Sequence, residues 1–127
     1  MDEFTTFKSR KPDVEQLRRQ YPDLGGLLTG EFADTPNVYE LPQGTVVSWT
    51  LNQGKPANPT YGRIPIGHFE FPTGHTEELT VLKGTLEAEV GGDRSILTIG
   101  QKVIAPPKSL LKLDVKDAPV FYFCQYK

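Results

Sequence analysis

Three carboxylates and two imidazoles crowd into one short stretch, residues 62–84, GRIPIGHFEFPTGHTEELTVLKG. Glu70, Glu77 and Glu78 could serve as acids, bases or charge stabilisers. His68 and His75 could ligate a metal or carry protons. Zinc or iron needs three or more converging N, O or S ligands. These are the only histidines, and a turn lies between them. Glu77 with one imidazole is too poor a set, so no metal site is expected. Strand alternation sends Glu77, Leu79 and Val81 to one face, and Glu78, Thr80 and Leu82 to the other. The cations at loop-like positions, Arg63, Lys83, Arg94, Lys108 and Lys112, read first as solvated charges. Cys124 lies in the apolar run FYFCQY with no basic partner nearby, which marks it as an inert core thiol. The chain contains no G-x-S-x-G elbow, phosphate loop or Cys–His pair.

The elements that must position these groups fit one domain, because 127 residues can bury one core. Lys and Arg number 14 against 16 Asp and Glu, for a net charge of −2. Nucleic-acid modules are usually basic, so neither DNA nor RNA is an expected partner. A single cysteine fits a reducing compartment. The start, MDEFTTFKSRK, lacks the apolar centre of a signal peptide, and no run approaches the ~20 apolar residues of a membrane span. The expectation is a soluble, cytoplasmic protein.

Residues 1–10 are mixed and polar, and are expected to fray. In PDVEQLRRQY (12–21), Val14, Leu17 and Tyr21 fall on one helical face, and Pro22 ends the run. Residues 12–28 are read as a short helix and loop covering a barrel end or a sheet edge. From Val38 the pattern changes to short alternating runs punctuated by Gly and Pro. Strands are predicted at 45–51, 63–71, 77–82, 85–90, 95–99, 102–106, 110–115 and 120–126. Eight short strands with tight turns point to an all-β jelly roll or small barrel. The loop over 52–62 is the longest connection within it, and long loops often line binding sites.

The spacing within 62–84 resembles the metal motif of the cupin barrel, G-x5-H-x-H-x3-4-E-x6-G, with its ligands replaced. Glu77 and Gly84 keep the second half. The histidine positions fall on Glu70 and Pro72, or on Phe71 and Thr73. The second cupin motif can be traced from Gly100 to Pro106, with Lys108 at its glycine position and Leu111 at its histidine position. The resemblance implies a cupin-type double-stranded β-helix over 38–127, preceded by an extension with a short helix over 1–37. It also implies that Glu77 faces the barrel interior and Glu78 the solvent. An inward carboxylate must be hydrogen-bonded or have a raised pKa. A purely structural Glu77 would tie down the N–H groups of the PTGHT loop.

From about Val46 to Lys127 the chain resembles the pyrimidine/purine nucleoside phosphorylase family of small single-domain cupins. The resemblance is carried by Gly62, Gly67, Phe71, Thr73, Glu77, Val81 and Gly84, then by Gly100, Pro106, Tyr122, Cys124 and Tyr126. The chain departs from the family at His68 (Glu in the family), Thr76 (Pro), Gln125 (Arg) and near Asn58 (Arg). Residues 1–37 have no counterpart in short family members. The resemblance implies phosphorolysis, in which a nucleoside and inorganic phosphate give ribose 1-phosphate and a free base, with no cofactor. Glycosidic cleavage builds positive charge on the sugar, so Glu77 is the catalytic candidate. Arg63 or Lys108 would hold phosphate, and Phe71 (or Phe69), Tyr122 and Tyr126 the base, with Thr73 also in the substrate site. Related cupins pair through edge strands, so a homodimer is expected.

Two other readings compete. A non-catalytic cupin that binds a small molecule, as a sensor or regulatory module, fits the missing arginines. A metal-dependent cupin enzyme is opposed by the missing histidine pair. The retained Phe71, Thr73 and Glu77 favour the phosphorylase.

Overall fold

Pro65 and Gly67 split what reads as one strand over 63–71 into two, Thr60–Ile64 and Gly67–Pro72, which join different sheets. Proline has no N–H to give a ladder, and Gly67 adopts φ +148°, a backbone that side-chain-bearing residues avoid. The computed structural model describes residues 3–127. Its helices are α1 (Glu3–Ser9) and α2 (Val14–Gln20), followed by a 3-10 turn at Pro22–Leu24. Its strands are β1 (Glu31–Phe32), β2 (Asn37–Leu41), β3 (Gly44–Asn52), β4 (Thr60–Ile64), β5 (Gly67–Pro72), β6 (Glu77–Lys83), β7 (Leu86–Val90), β8 (Asp93–Leu97), β9 (Lys102–Ala105), β10 (Leu110–Val115) and β11 (Val120–Tyr126).

The larger sheet runs β1-β3-β4-β11-β6-β9, with β2 also paired to β3, and the smaller runs β5-β10-β7-β8. The pairings are antiparallel. The sheets face each other over a core that includes Val46, Ile64, Phe69, Val81, Leu86, Leu113 and Val120. This is the all-β two-sheet barrel that the strand spacing predicts. β1 and β2 were not anticipated. One is two residues long, and most of the other is exposed, so neither has a clear alternating pattern.

The outer face of the larger sheet carries a second core of Trp49, Leu51, Leu82, Phe121 and Phe123, joined by Leu17, Leu28 and Phe32 from the N-terminal segment. The helix and loop over 12–28 therefore pack on a sheet face where a barrel end or an edge was expected, and β1 after them adds to the edge of β3. α2 starts under Asp13, whose carboxylate accepts from the Glu15 and Gln16 N–H groups at 3.0 and 3.4 Å. Where fraying was expected, α1 is ordered by its aromatics. Phe7 packs on Tyr61 and Phe121, with ring centroids 5.3 and 5.5 Å away, and its carbonyl accepts from Trp49 Nε1 at 3.1 Å. Burial of aromatic area outweighs the weak helix preference of so short a segment.

Candidate functional site

Between the sheets lies a cavity of about 430 Å³. Its lining includes Pro72, Glu77, Leu111 and Tyr126, which stand where β5 stops and β6 starts, where β10 begins and where β11 ends. The registers Leu110 to Pro72, Glu77 to Ala105 and Tyr126 to Glu77 bring these strand ends together. Two loops, residues 73–76 and 106–109, are clasped there. The Thr73 N–H donates to the Ser109 carbonyl and the Lys108 N–H to the Thr73 carbonyl, both at 2.9 Å.

The cavity has two unlike walls. The smaller sheet presents Phe71, Pro72, Leu111 and Leu113, an apolar surface suited to the flat face of a ring. The larger sheet presents Asn37, Ser48, Thr50, Thr60, Glu77, Tyr122, Cys124 and Tyr126 among apolar neighbours. Alternation explains the second wall. Tyr122, Cys124 and Tyr126 are every second residue of β11, while Phe121 and Phe123 point to the outer core. Asn37 Nδ2 donates to Ser48 Oγ at 3.2 Å and to Thr50 Oγ1 at 3.0 Å, and Thr60 Oγ1 and Tyr126 OH are 3.0 Å apart.

Glu77 lines this cavity on β6, and no Lys, Arg or His is among the described residues that line it with Glu77. Burial pushes its carboxyl above the usual range, and the charge of His75 offsets part of that rise. His75 is exposed on the loop two residues before Glu77. Burial also raises the phenols of Tyr122 and Tyr126, and it pushes the Cys124 thiol up to about 12, which leaves that thiol unreactive. The site thus offers one carboxylate, a row of neutral hydroxyls and an apolar wall. It can stack a flat ring on the apolar wall, meet polar groups on the other wall and stabilise positive charge beside Glu77.

The candidate residues are not all brought together. Glu77, Phe71, Tyr122 and Tyr126 share the cavity. Arg63 does not line it. Its side chain lies on the other face of β4, with its guanidinium 5.0 Å from the Phe4 ring centroid under α1. The parity of β4 sends Thr60, Gly62 and Ile64 inward, so residue 63 must point outward. Phe69 is buried in the core between the sheets, away from the cavity lining. Thr73 is buried at the clasp, where its hydroxyl donates to the Pro106 carbonyl at 2.6 Å and accepts from the Ser109 N–H at 3.0 Å. Lys108 is exposed at the tip of the second loop, with φ +57°.

Glu78 is not solvated, as sequence reading expected. It is 6% exposed on the outer face, covered by Lys102 at 2.5 Å and by Lys127. Lys102 on β9 is the register partner of Thr80 and reaches Glu78 diagonally, and a sequence scan gives no sign of that contact. The hydrogen bonds from Lys102 and Lys127 hold its carboxyl below the usual range. His68 lies on the outside of the smaller sheet between Asp114 and Glu70, each 2.7 Å from a ring nitrogen. Among the described residues, no three His, Cys, Asp or Glu side chains are grouped so that they could hold a metal.

Sequence reading missed Asn37, Ser48, Thr50 and Thr60. The one available signal was the run of small hydroxyl residues on alternate positions of β3. Its meaning depends on which strand lies alongside.

The family profile of pyrimidine/purine nucleoside phosphorylases matches residues 35–126. The chain belongs to this family. A pyrimidine/purine nucleoside phosphorylase from Pectobacterium atrosepticum is 33% identical over 92 residues, 71% of this chain and 97% of that protein. A solved structure of unknown function from Vibrio parahaemolyticus aligns with TM-score 0.63 at 27% identity, over 73% of this chain and 99% of that one. A cupin 2 conserved barrel protein from Rhodopseudomonas palustris aligns with TM-score 0.62 at 17% identity, over 76% and 71% of the two chains. This last likeness is one of fold, and the two-sheet barrel is a cupin barrel. The family match begins after α1, α2 and β1, so the second core includes residues outside it.

Proposed function

We propose that this family member is a nucleoside phosphorylase that works in the cavity between the sheets. The observation that carries the reading is the placement of Glu77. It is a lone carboxylate on a hydroxyl-rich wall that faces an apolar wall of Phe71, Leu111 and Leu113. The base stacks on the apolar wall near Phe71, and the sugar turns its hydroxyls to the larger sheet. The C1′–N bond breaks as a phosphate oxygen bonds to C1′, and the base leaves with the proton that hydrogen phosphate gives up. Ionised Glu77 stabilises the oxocarbenium-like charge that develops between these events.

Phosphate enters past the clasped loops, where Lys108 is the cation they present. The reaction as proposed uses no cofactor or metal. Among the described residues no helix is long and apolar enough to cross a membrane. We place the reaction in the cytoplasm of the cell, carried out by a homodimer.

A second reading has one observation in its favour. The cavity lining itself offers phosphate no cation, which suits a binding module for an uncharged small molecule. One experiment decides between them. Purified protein is incubated with uridine and with adenosine, with and without phosphate, and free base and ribose 1-phosphate are quantified. Phosphate-dependent release of both supports the phosphorylase. Saturable nucleoside binding without any release supports the binding module.

A further inference from the structure

We propose that His75 and Lys108, carried on the two clasped loops, form the phosphate-binding site at the border of the cavity. The proposal rests on the phosphorylase reading above and names the groups that hold its second substrate.

No Lys, Arg or His among the described residues lines the cavity with Glu77, so phosphate must be held from the border. Pro72 and Glu77 line the cavity and flank the loop 73–76, which places His75 at that border. The ladder fixes its side. Pairing of β6 with β11 continues one residue beyond Glu77. The Thr76 N–H donates to the Lys127 carbonyl at 3.2 Å, and the Lys127 N–H to the Thr76 carbonyl at 2.8 Å. The period of two therefore holds through Thr76, and His75 falls on the face of Glu77. The charge of His75 reaches that carboxylate.

The other loop brings up Lys108. Its N–H donates to the carbonyl of Thr73, two residues before His75, at 2.9 Å. Among the described residues Lys108 is the one non-glycine with a positive φ, +57°. Glycine takes that backbone readily, whereas a residue with a side chain is kept there against strain, as happens at functional sites. Both side chains are exposed, and among the described residues neither makes a hydrogen bond or an ion pair. An ammonium brings three donors and a full charge, and an imidazole can donate an N–H in either protonation state. That set matches the oxygens of hydrogen phosphate.

The test follows uridine cleavage at varied phosphate in the wild type, His75→Ala, Lys108→Gly and Lys108→Arg. KM for phosphate should rise about tenfold or more in the first two variants, the scale of one charge-assisted hydrogen bond. KM for uridine should move much less, and Lys108→Arg, which keeps the charge, should stay close to the wild type. Lys108→Gly relieves the backbone, so its melting temperature should not fall. A merely structural loop would lose stability and raise both KM values together, and that result would overturn the assignment. Base release with normal phosphate kinetics in the variants would also overturn it and leave the phosphorylase standing. Phosphorus NMR of inorganic phosphate, without nucleoside, separates the two readings. Line broadening that the double variant His75→Ala, Lys108→Gly abolishes supports the site even if no base is released, an outcome that removes the phosphorylase alone. Neither release nor broadening in the wild type removes both.

Discussion

The ring of Tyr122 rests on the backbone of Gly62, its register partner across β11 and β4, so closely that a Cβ at position 62 would stand 2.3 Å from the ring Cζ. The absence of a side chain at 62 lets the tyrosine lie along the cavity wall. Gly62→Ala must push a buried aromatic ring toward the cavity or distort β4. Overpacking of this kind costs about 1–3 kcal/mol. Chemical denaturation should show that loss, and nucleoside affinity should fall with it as the cavity narrows.

Glu77→Gln separates the two roles open to this carboxylate. Loss of one preorganised stabilising group costs about 100-fold or more in turnover, so kcat for phosphorolysis should drop by that scale. Stability should move the other way. Burial raises the carboxyl's pKa in the folded state. Its contribution is therefore full below the unfolded pKa and is lost as pH rises through the folded one. Above the folded pKa the ionised group is a burden that glutamine lacks, so there the variant should melt at a higher temperature. A lower melting temperature with unchanged activity per folded molecule would show that Glu77 merely holds the loop.

Glu78 behaves in the opposite sense. Its pKa is lowered by Lys102 and Lys127. The stabilisation is present above the unfolded carboxylate pKa and is lost as pH falls through the lower folded value. Glu78→Gln should cost about 1 kcal/mol near neutrality, since the exposed lysine ends screen the pair. The deficit should shrink in acid and in high salt, and urea titrations at several pH values will measure it.

The hydrogen bonds to Glu70 and Asp114 raise the pKa of His68 above its ordinary value of 6.5. The stability this gives is complete below the unfolded pKa and is lost as pH rises through the folded one. The melting-temperature advantage of the wild type over His68→Gln should be present in mild acid and fade toward alkaline pH. An imidazole NMR titration should place the folded pKa above 6.5.

Phe32→Ala tests whether the N-terminal segment is part of the fold. Phe32 is 2% exposed and belongs to the outer core with Trp49 and Phe123. The truncation should cost about 3–5 kcal/mol. The fluorescence of Trp49 should shift toward that of a solvated indole at lower denaturant concentration than in the wild type. An unchanged midpoint would mean that the segment only lies on the sheet.

The sequence by itself determined the class of fold and which carboxylate of β6 faces the cavity. Both are local properties. The alternation in 77–82 and 110–115 specifies strands with one apolar face, and the cupin motif that the Glu77–Gly84 spacing resembles implies that Glu77 points inward. Tertiary structure decided which residues join Glu77. Arg63 looked like a site residue for its charge at a loop-like position, and Thr73 for its match to the family. Strand parity turns Arg63 under α1, and the clasp to Ser109 occupies Thr73. Asn37, Thr50 and Thr60 looked unremarkable, yet pairing across β2, β3 and β4 carries them to the cavity wall. Period and composition reveal which side of a strand is apolar. They do not reveal which distant strand lies alongside, because register is set by long-range packing of whole sheet faces.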